Sequence, residues 1–170
     1  MDSLLEKFRN STNEVPIELE IRYKDIELGT IINLIDSMSK DYKVNHETFI
    51  DAIDYRKNLK IGLRTIINNG KKSSTEPIYK EHMDRVMFKN PICNYSVDLS
   101  TEKNVELSQL PKNPTNILLK HRFSYILPKH KNWRVDITIT RKTELTSEGI
   151  KKAVKEFFVD IPDRKELFEV

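Results

Sequence analysis

A single cysteine, Cys93, stands among the 170 residues, so no disulfide can close within the chain. With His46, His82, His121 and His130 scattered singly, no usual zinc spacing can be written either. A reducing, intracellular setting is the default that follows. Glycine is equally scarce: Gly29, Gly62, Gly70 and Gly149 allow neither a Gly-x-Gly-x-x-Gly turn nor a phosphate-cradling P-loop. If phosphates are bound, side chains must bind them. No apolar run approaches the roughly 18 residues that span a bilayer, and Met1-Asp2-Ser3-Leu4-Leu5 lacks the basic stretch and apolar core of an export signal. No membrane is expected as a partner. Excess charge is small as well, at +3, so a polyanion is permitted as a partner but not demanded. Where the charges sit must decide.

What is present is a mixture of 38% hydrophobic and 32% charged residues, too apolar for a disordered polymer and long enough for a real core. Residues 1–170 are expected to form a single domain. Residues 3–10 suit a short helix capped by Asp2 or Ser3, packing as a lid through Leu4, Leu5 and Phe8. Behind Pro16, residues 17–23 alternate strictly, as in a strand. From Asp25 the period lengthens, with Ile26, Ile31, Leu34, Ile35 and Met38 spaced for an amphipathic helix ending near Lys40. Residues 49–55 and 59–67 alternate around Arg56-Lys57-Asn58 and predict a hairpin. The polar stretch 68–75 is expected to be a flexible loop. Further strands are expected at 85–89, 95–102, 117–126 and 133–141, a helix from Ser147 to Phe158, and a last strand near Leu167. About seven strands with few helices imply an antiparallel, meandering α+β domain.

The informative feature is which residues share a strand face. Alternation sets Glu18, Glu20 and Arg22 against Ile17, Leu19, Ile21 and Tyr23. In the same way Lys120, Arg122 and Ser124 oppose Leu119, Phe123 and Tyr125, while Arg134, Asp136, Thr138 and Thr140 oppose Trp133, Val135, Ile137 and Ile139. Parity thus places His121 and Trp133 on the apolar side. One wet face is ordinary for an antiparallel sheet, but here acids gather on one strand and bases on another. Were the sheet to close with these faces inward, carboxylates would face cations, and ligands would have to complete so charged an interior. Two carboxylates two residues apart suit a divalent hard cation, and Lys and Arg suit phosphate oxygens.

Glu18-Leu19-Glu20-Ile21-Arg22 resembles the Glu-x-Glu-x-Lys/Arg signature of the triphosphate tunnel metalloenzymes. Within that family the resemblance is to the RNA triphosphatase domains that open the capping enzymes of large cytoplasmic DNA viruses such as African swine fever virus. Leu119-Lys120-His121-Arg122 resembles the family's basic strand, and Trp133-Arg134-Val135-Asp136-Ile137-Thr138 the strand that follows it. Gly62-Leu63-Arg64 and Met87-Phe88-Lys89 are similar to segments carrying a phosphate-binding arginine and lysine, and residues 97–102 to the one carrying a tunnel glutamate, Glu102. The likeness covers residues 15–170.

The resemblance implies an antiparallel β-barrel of about eight strands forming a triphosphate tunnel, flanked by a few helices. It implies removal of the γ-phosphate from the 5′-triphosphate end of RNA, the first step of cap formation. Glu18, Glu20 and Glu169 would hold Mg²⁺ or Mn²⁺, and Arg64, Lys89, Lys120 and Arg122 would clamp the triphosphate. Asp136, Thr138 and Glu102 would place water and phosphate. Glu169 matches the first acid of the family's closing Glu-x-Glu strand and Val170 ends the sequence, so a fragment cut within that motif is expected, with guanylyltransferase and methyltransferase domains following in a longer viral polypeptide of the host cytoplasm or virion. Two other readings stay open. One keeps the fold and hydrolyses nucleoside triphosphates or tripolyphosphate, and the other is a noncatalytic RNA-binding domain of a capping complex.

Overall fold

A computed structural model describes residues 2–10, 16–24, 26–38, 40–69, 71–89, 91, 94–129, 133–143 and 146–159. Among them lie three α-helices, α1 (Asp2–Arg9), α2 (Leu28–Met38) and α3 (Ser147–Val159). The strands are β1 (Ile17–Lys24), β2 (Lys43–Arg56), β3 (Leu59–Asn68), β4 (Lys71–Phe88), β5 (Asn94–Glu102), β6 (Asn116–Ile126) and β7 (Arg134–Thr143). They form one sheet in the order β1-β5-β4-β3-β2-β6-β7, with β1, β4 and β5 antiparallel to their neighbours in that group and β6 antiparallel to β7. The antiparallel α+β class follows the alternation in the sequence. The strand expected near Leu167, with Glu169, lies outside the described residues.

One expected loop is a strand. Lys71-Lys72-Ser73-Ser74-Thr75 opens the 18-residue β4, whose far end is residues 85–88, with Lys89 just beyond it. These residues lack alternation because Lys71 to Ser74 are all exposed. Pairing fixes them as strand where local composition favours a turn. The turn itself shrinks to the residues around Asn69, whose φ of 51° suits asparagine's tolerance of the left-handed region.

The chain divides into two compact units, through both of which β2, β3 and β4 run. The first comprises Met1–Ile26, Ile53–Leu63 and Pro77–Asn113. Its core is Leu4 of α1 against Val97 and Leu99 of β5, flanked by Ile17, Leu19, Val86, Phe88 and Tyr95. Ile21 and Tyr23 share that parity on β1 but are exposed. In β4 a register shift between His82 and Asp84 moves the side-chain alternation by one residue. Lys80, His82, Arg85 and Met87 therefore pair with Glu102, Ser100, Asp98 and Ser96, and Ser100, Asp98 and Ser96 pair on their other side with Glu18, Glu20 and Arg22. One continuous polar face results.

The second unit comprises Glu27–Ala52, Arg64–Glu76 and Pro114–Val170. Ile31, Ile35 and Met38 of α2, at helical spacing, pack with Phe123, Tyr125, Leu127, Val135 and Ile137. His121 is buried on this apolar side, as parity implied, and meets His46 through Nδ1 and Nε2 at 3.1 Å. Trp133 does not join them. It precedes β7 and is 64% exposed; Val135 and Ile137 are partly buried on that side, and Ile139 at the same parity is exposed too, so packing reaches only the middle of the stripe.

Candidate functional site

Each unit carries one cluster of charges on its polar strand face. In the first, the Lys80 ammonium lies 2.5 Å from Glu18 Oε2, 3.4 Å from Glu20 Oε2 and 3.9 Å from Glu102 Oε1. Two carboxylates from alternate positions of β1 thus converge on one cation. Arg22 donates from Nη2 to Glu20 at 2.8 Å, and its Nε stands 3.9 Å from Asp98. Asp98 is buried and accepts from Arg85 and from Ser96 Oγ. Burial pushes the Asp98 carboxyl up, but hydrogen bonds from Arg85 and Ser96 and the charges of Arg22 and Arg85 outweigh it and hold the group below the usual carboxylate range. Glu20 behaves likewise, with burial opposed by Arg22 and Lys80.

These residues fit a divalent hard cation. Glu18 and Glu20 offer oxygen ligands to a common point, and Mg²⁺ commonly takes one or two carboxylates and leaves its other positions to water and phosphate. No group of three or more His, Cys, Asp or Glu with ligand placement occurs among the described residues. Beside Glu18 in register sits Ser100, whose buried hydroxyl has no hydrogen-bond partner among the described residues. A buried hydroxyl left unpaired is costly, so its presence on this face favours a further polar occupant.

In the second unit the centre is Asp51 of β2, fully buried. It accepts from Arg64 Nε at 2.8 Å, from Arg64 Nη2 at 3.1 Å and from Lys120 Nζ at 2.8 Å. Phe49, next on the same face of β2, has Arg64 at 4.0 Å, Arg122 at 5.1 Å and Lys120 at 5.8 Å from its ring centroid. Two cations therefore share one carboxylate, and a third joins them around one ring. Arg122 Nε is buried without a hydrogen bond among the described residues, 3.8 Å from Asp136, whose carboxylate lies closer to Arg134 at 2.8 Å. Thr138 pairs with Arg122 across β6 and β7. Such a face has donors to spare for an anion.

Of the residues singled out in the sequence, Glu18, Glu20 and Glu102 meet in the first cluster, and Arg64, Lys120, Arg122, Asp136 and Thr138 lie in the second. Lys89 stands alone, exposed one residue beyond β4, with no ion pair among the described residues. The lysine beside the acids is Lys80 instead. Lys80, Asp51, Asp98 and Arg85 were not foreseen.

By sequence, no family model and no curated protein matches the chain. By fold it is similar to the Schizosaccharomyces pombe Pct1 RNA triphosphatase, with a TM-score of 0.57 and 12% identity over 82% of this chain and 70% of that one. It is also similar to the RNA triphosphatase domain of the trifunctional mimivirus mRNA capping enzyme, with a TM-score of 0.57 and 17% identity over 83% and 77% of the two chains. A monoclinic form of the mimivirus capping enzyme triphosphatase aligns over 99% of this chain and 95% of its own, with a TM-score of 0.55 and 12% identity. At such identities the likeness is one of fold.

Proposed function

We propose that this chain is a metal-dependent RNA 5′-triphosphatase that removes the γ-phosphate of nascent RNA at the start of mRNA capping. The observation that carries this reading is the convergence of Glu18 and Glu20 on one cation position, on the first strand of a fold shared with RNA triphosphatases. Glu18 and Glu20 would hold Mg²⁺ or Mn²⁺, with Glu169, outside the described residues, as a further ligand. The bound metal would supply neutralisation of charge on the reacting phosphate oxygens.

In the second unit, Arg64, Lys120 and Arg122 would bind phosphate oxygens, where positioning and electrostatics supply most of the catalysis in phosphoryl transfer. The open Nε of Arg122 is a donor ready for that use. Asp51 would hold Arg64 and Lys120 in place, and Thr138 and Asp136 would orient phosphate and water. In the first unit, Lys80 would serve as a phosphate-binding lysine, the role that the resemblance implied for Lys89, and Glu102 would aim the attacking water. Water adds to the γ-phosphorus, the β–γ bridging oxygen leaves, and the products are 5′-diphosphate RNA and inorganic phosphate. A guanylyltransferase domain that would cap the diphosphate end and a methyltransferase domain that would act on the resulting cap belong to the same proposal.

The test is release of phosphate from triphosphate-ended RNA with Mg²⁺ or Mn²⁺, run beside ATP and tripolyphosphate. RNA should be the preferred substrate, and Glu18→Ala should slow the reaction at least about tenfold, or about 1.4 kcal/mol in barrier. An unchanged rate in that variant would defeat the metal assignment, and equal or better turnover of free nucleotide or tripolyphosphate would favour the broader triphosphatase.

A further inference from the structure

We infer that Lys80 is the resident counter-ion of the metal subsite, holding Glu18 and Glu20 until a divalent cation displaces it. The inference rests on the assignment of Glu18 and Glu20 as metal ligands. Its basis is that both carboxylates spend an oxygen on the same ammonium, at 2.5 and 3.4 Å, with Glu102 at 3.9 Å, while the lysine side chain is only 19% exposed. A divalent ion and an ammonium cannot share those oxygens, because each would occupy the same lone pairs and like charges a few ångströms apart repel. Metal entry and departure of Lys80 are therefore one exchange.

Two features separate this from an ordinary structural ion pair. Three carboxylates lie within 3.9 Å of Lys80 and, among the described residues, only Glu20 has a second cation, Arg22, so the cluster stays negative and one ammonium does not saturate it. Ser100, in register with both Glu18 and His82 on the same face, keeps a buried hydroxyl unpartnered among the described residues, and Lys80 does not satisfy it. A hydrated metal brings both the missing charge and a hydrogen-bonding water. Once displaced, the ammonium is a free phosphate-binding donor. Metal and polyphosphate then favour each other's binding through this one side chain, and the coupling is reciprocal.

The experiment is Mn²⁺ titration of the full chain followed by electron paramagnetic resonance, without substrate. Lys80→Met should bind Mn²⁺ roughly tenfold more tightly than wild type, within the usual span of such couplings, and Glu18→Ala should lose the site. Equal or weaker binding by Lys80→Met, with Glu18→Ala still defective, overturns the role of Lys80 and leaves the metal site standing. Binding by Glu18→Ala equal to wild type overturns both. A second measurement needs no variant: saturating Mn²⁺ should raise acylation of the Lys80 amine by an N-hydroxysuccinimide ester, relative to Lys7, as read by mass spectrometry. An unchanged ratio overturns the exchange.

Discussion

Asp51 receives Arg64 through both of its carboxylate oxygens, Nε at 2.8 Å on one and Nη2 at 3.1 Å on the other. Lys120 adds a third bond to an acid with no exposed surface. Asp51→Ala would strip two partly buried cations of their shared partner, and removing one side of a buried pair commonly costs about 3 to 5 kcal/mol. Arg64 keeps 21% of its side chain exposed, which sets the expectation at the low end, about 3 kcal/mol. Urea unfolding followed by circular dichroism measures it. A shift worth less than about 1 kcal/mol would mean that solvent already relieves both cations.

Acid should loosen the protein in two stages. Burial pushes the carboxyls of Asp51, Asp98 and Glu20 up, yet the hydrogen bonds and charges of their Arg and Lys partners bring all three below their ordinary range. A group depressed in the folded state stabilises it above the unfolded pKa and loses that contribution as pH falls through the folded value, so this stage begins below about 4. His46 acts earlier. Burial, then repulsion from His121, lowers its pKa, so the unfolded chain binds the proton more readily and stability declines once pH drops below about 6.5. Thermal midpoints recorded from pH 8 to 3 should show both declines. The upper one should vanish in His46→Gln, and a wild-type profile flat from pH 7 to 5 would remove the histidine from the account.

Much of this was legible in the alternation. Ile17–Lys24 and Asn116–Ile126 fall where the pattern put them, because one face of each strand is wet and the other packs on apolar neighbours. Glu18, Glu20, Lys120 and Arg122 accordingly lie on polar faces. Lys80 was hidden for a physical reason: β4 is polar over most of its length, and strict alternation sets Lys80 and Arg85 on opposite faces, which only the register shift after His82 brings together. Asp51 did leave a mark. It shares parity with Phe49 and Ile53, both buried, and a carboxylate on such a face must find cations there. Asp98 sits between Ser96 and Ser100 on the face opposite Val97 and Leu99, a weaker signal, since small hydroxyl residues are common on wet faces. Trp133 misled because parity assigns a side and not a depth: Ile21 and Ile139, inside their strands at the apolar parity, are exposed as well.

Asp98 lies in register with Glu20 and is tied to it by Arg22, whose Nε stands 3.9 Å from Asp98 while Nη2 donates to Glu20 at 2.8 Å. Asp98→Asn keeps the shape and removes the charge, so Arg22 loses its second anchor and pairs with Glu20 alone. Two effects should follow. Stability should fall by about 1 to 3 kcal/mol, because Arg85 also loses an ionic partner that is only 2% exposed. If Glu20 is a metal ligand, its oxygens become harder to recruit, and the Mn²⁺ concentration giving half-maximal γ-phosphate release should rise severalfold while the rate at saturating metal stays near wild type. Ser96→Ala, which removes one hydrogen bond from an uncharged donor to Asp98 and no charge, should leave that metal requirement unchanged. Equal metal requirements in wild type and Asp98→Asn would show that Arg22 holds Glu20 without help from Asp98, and the stability loss alone would remain.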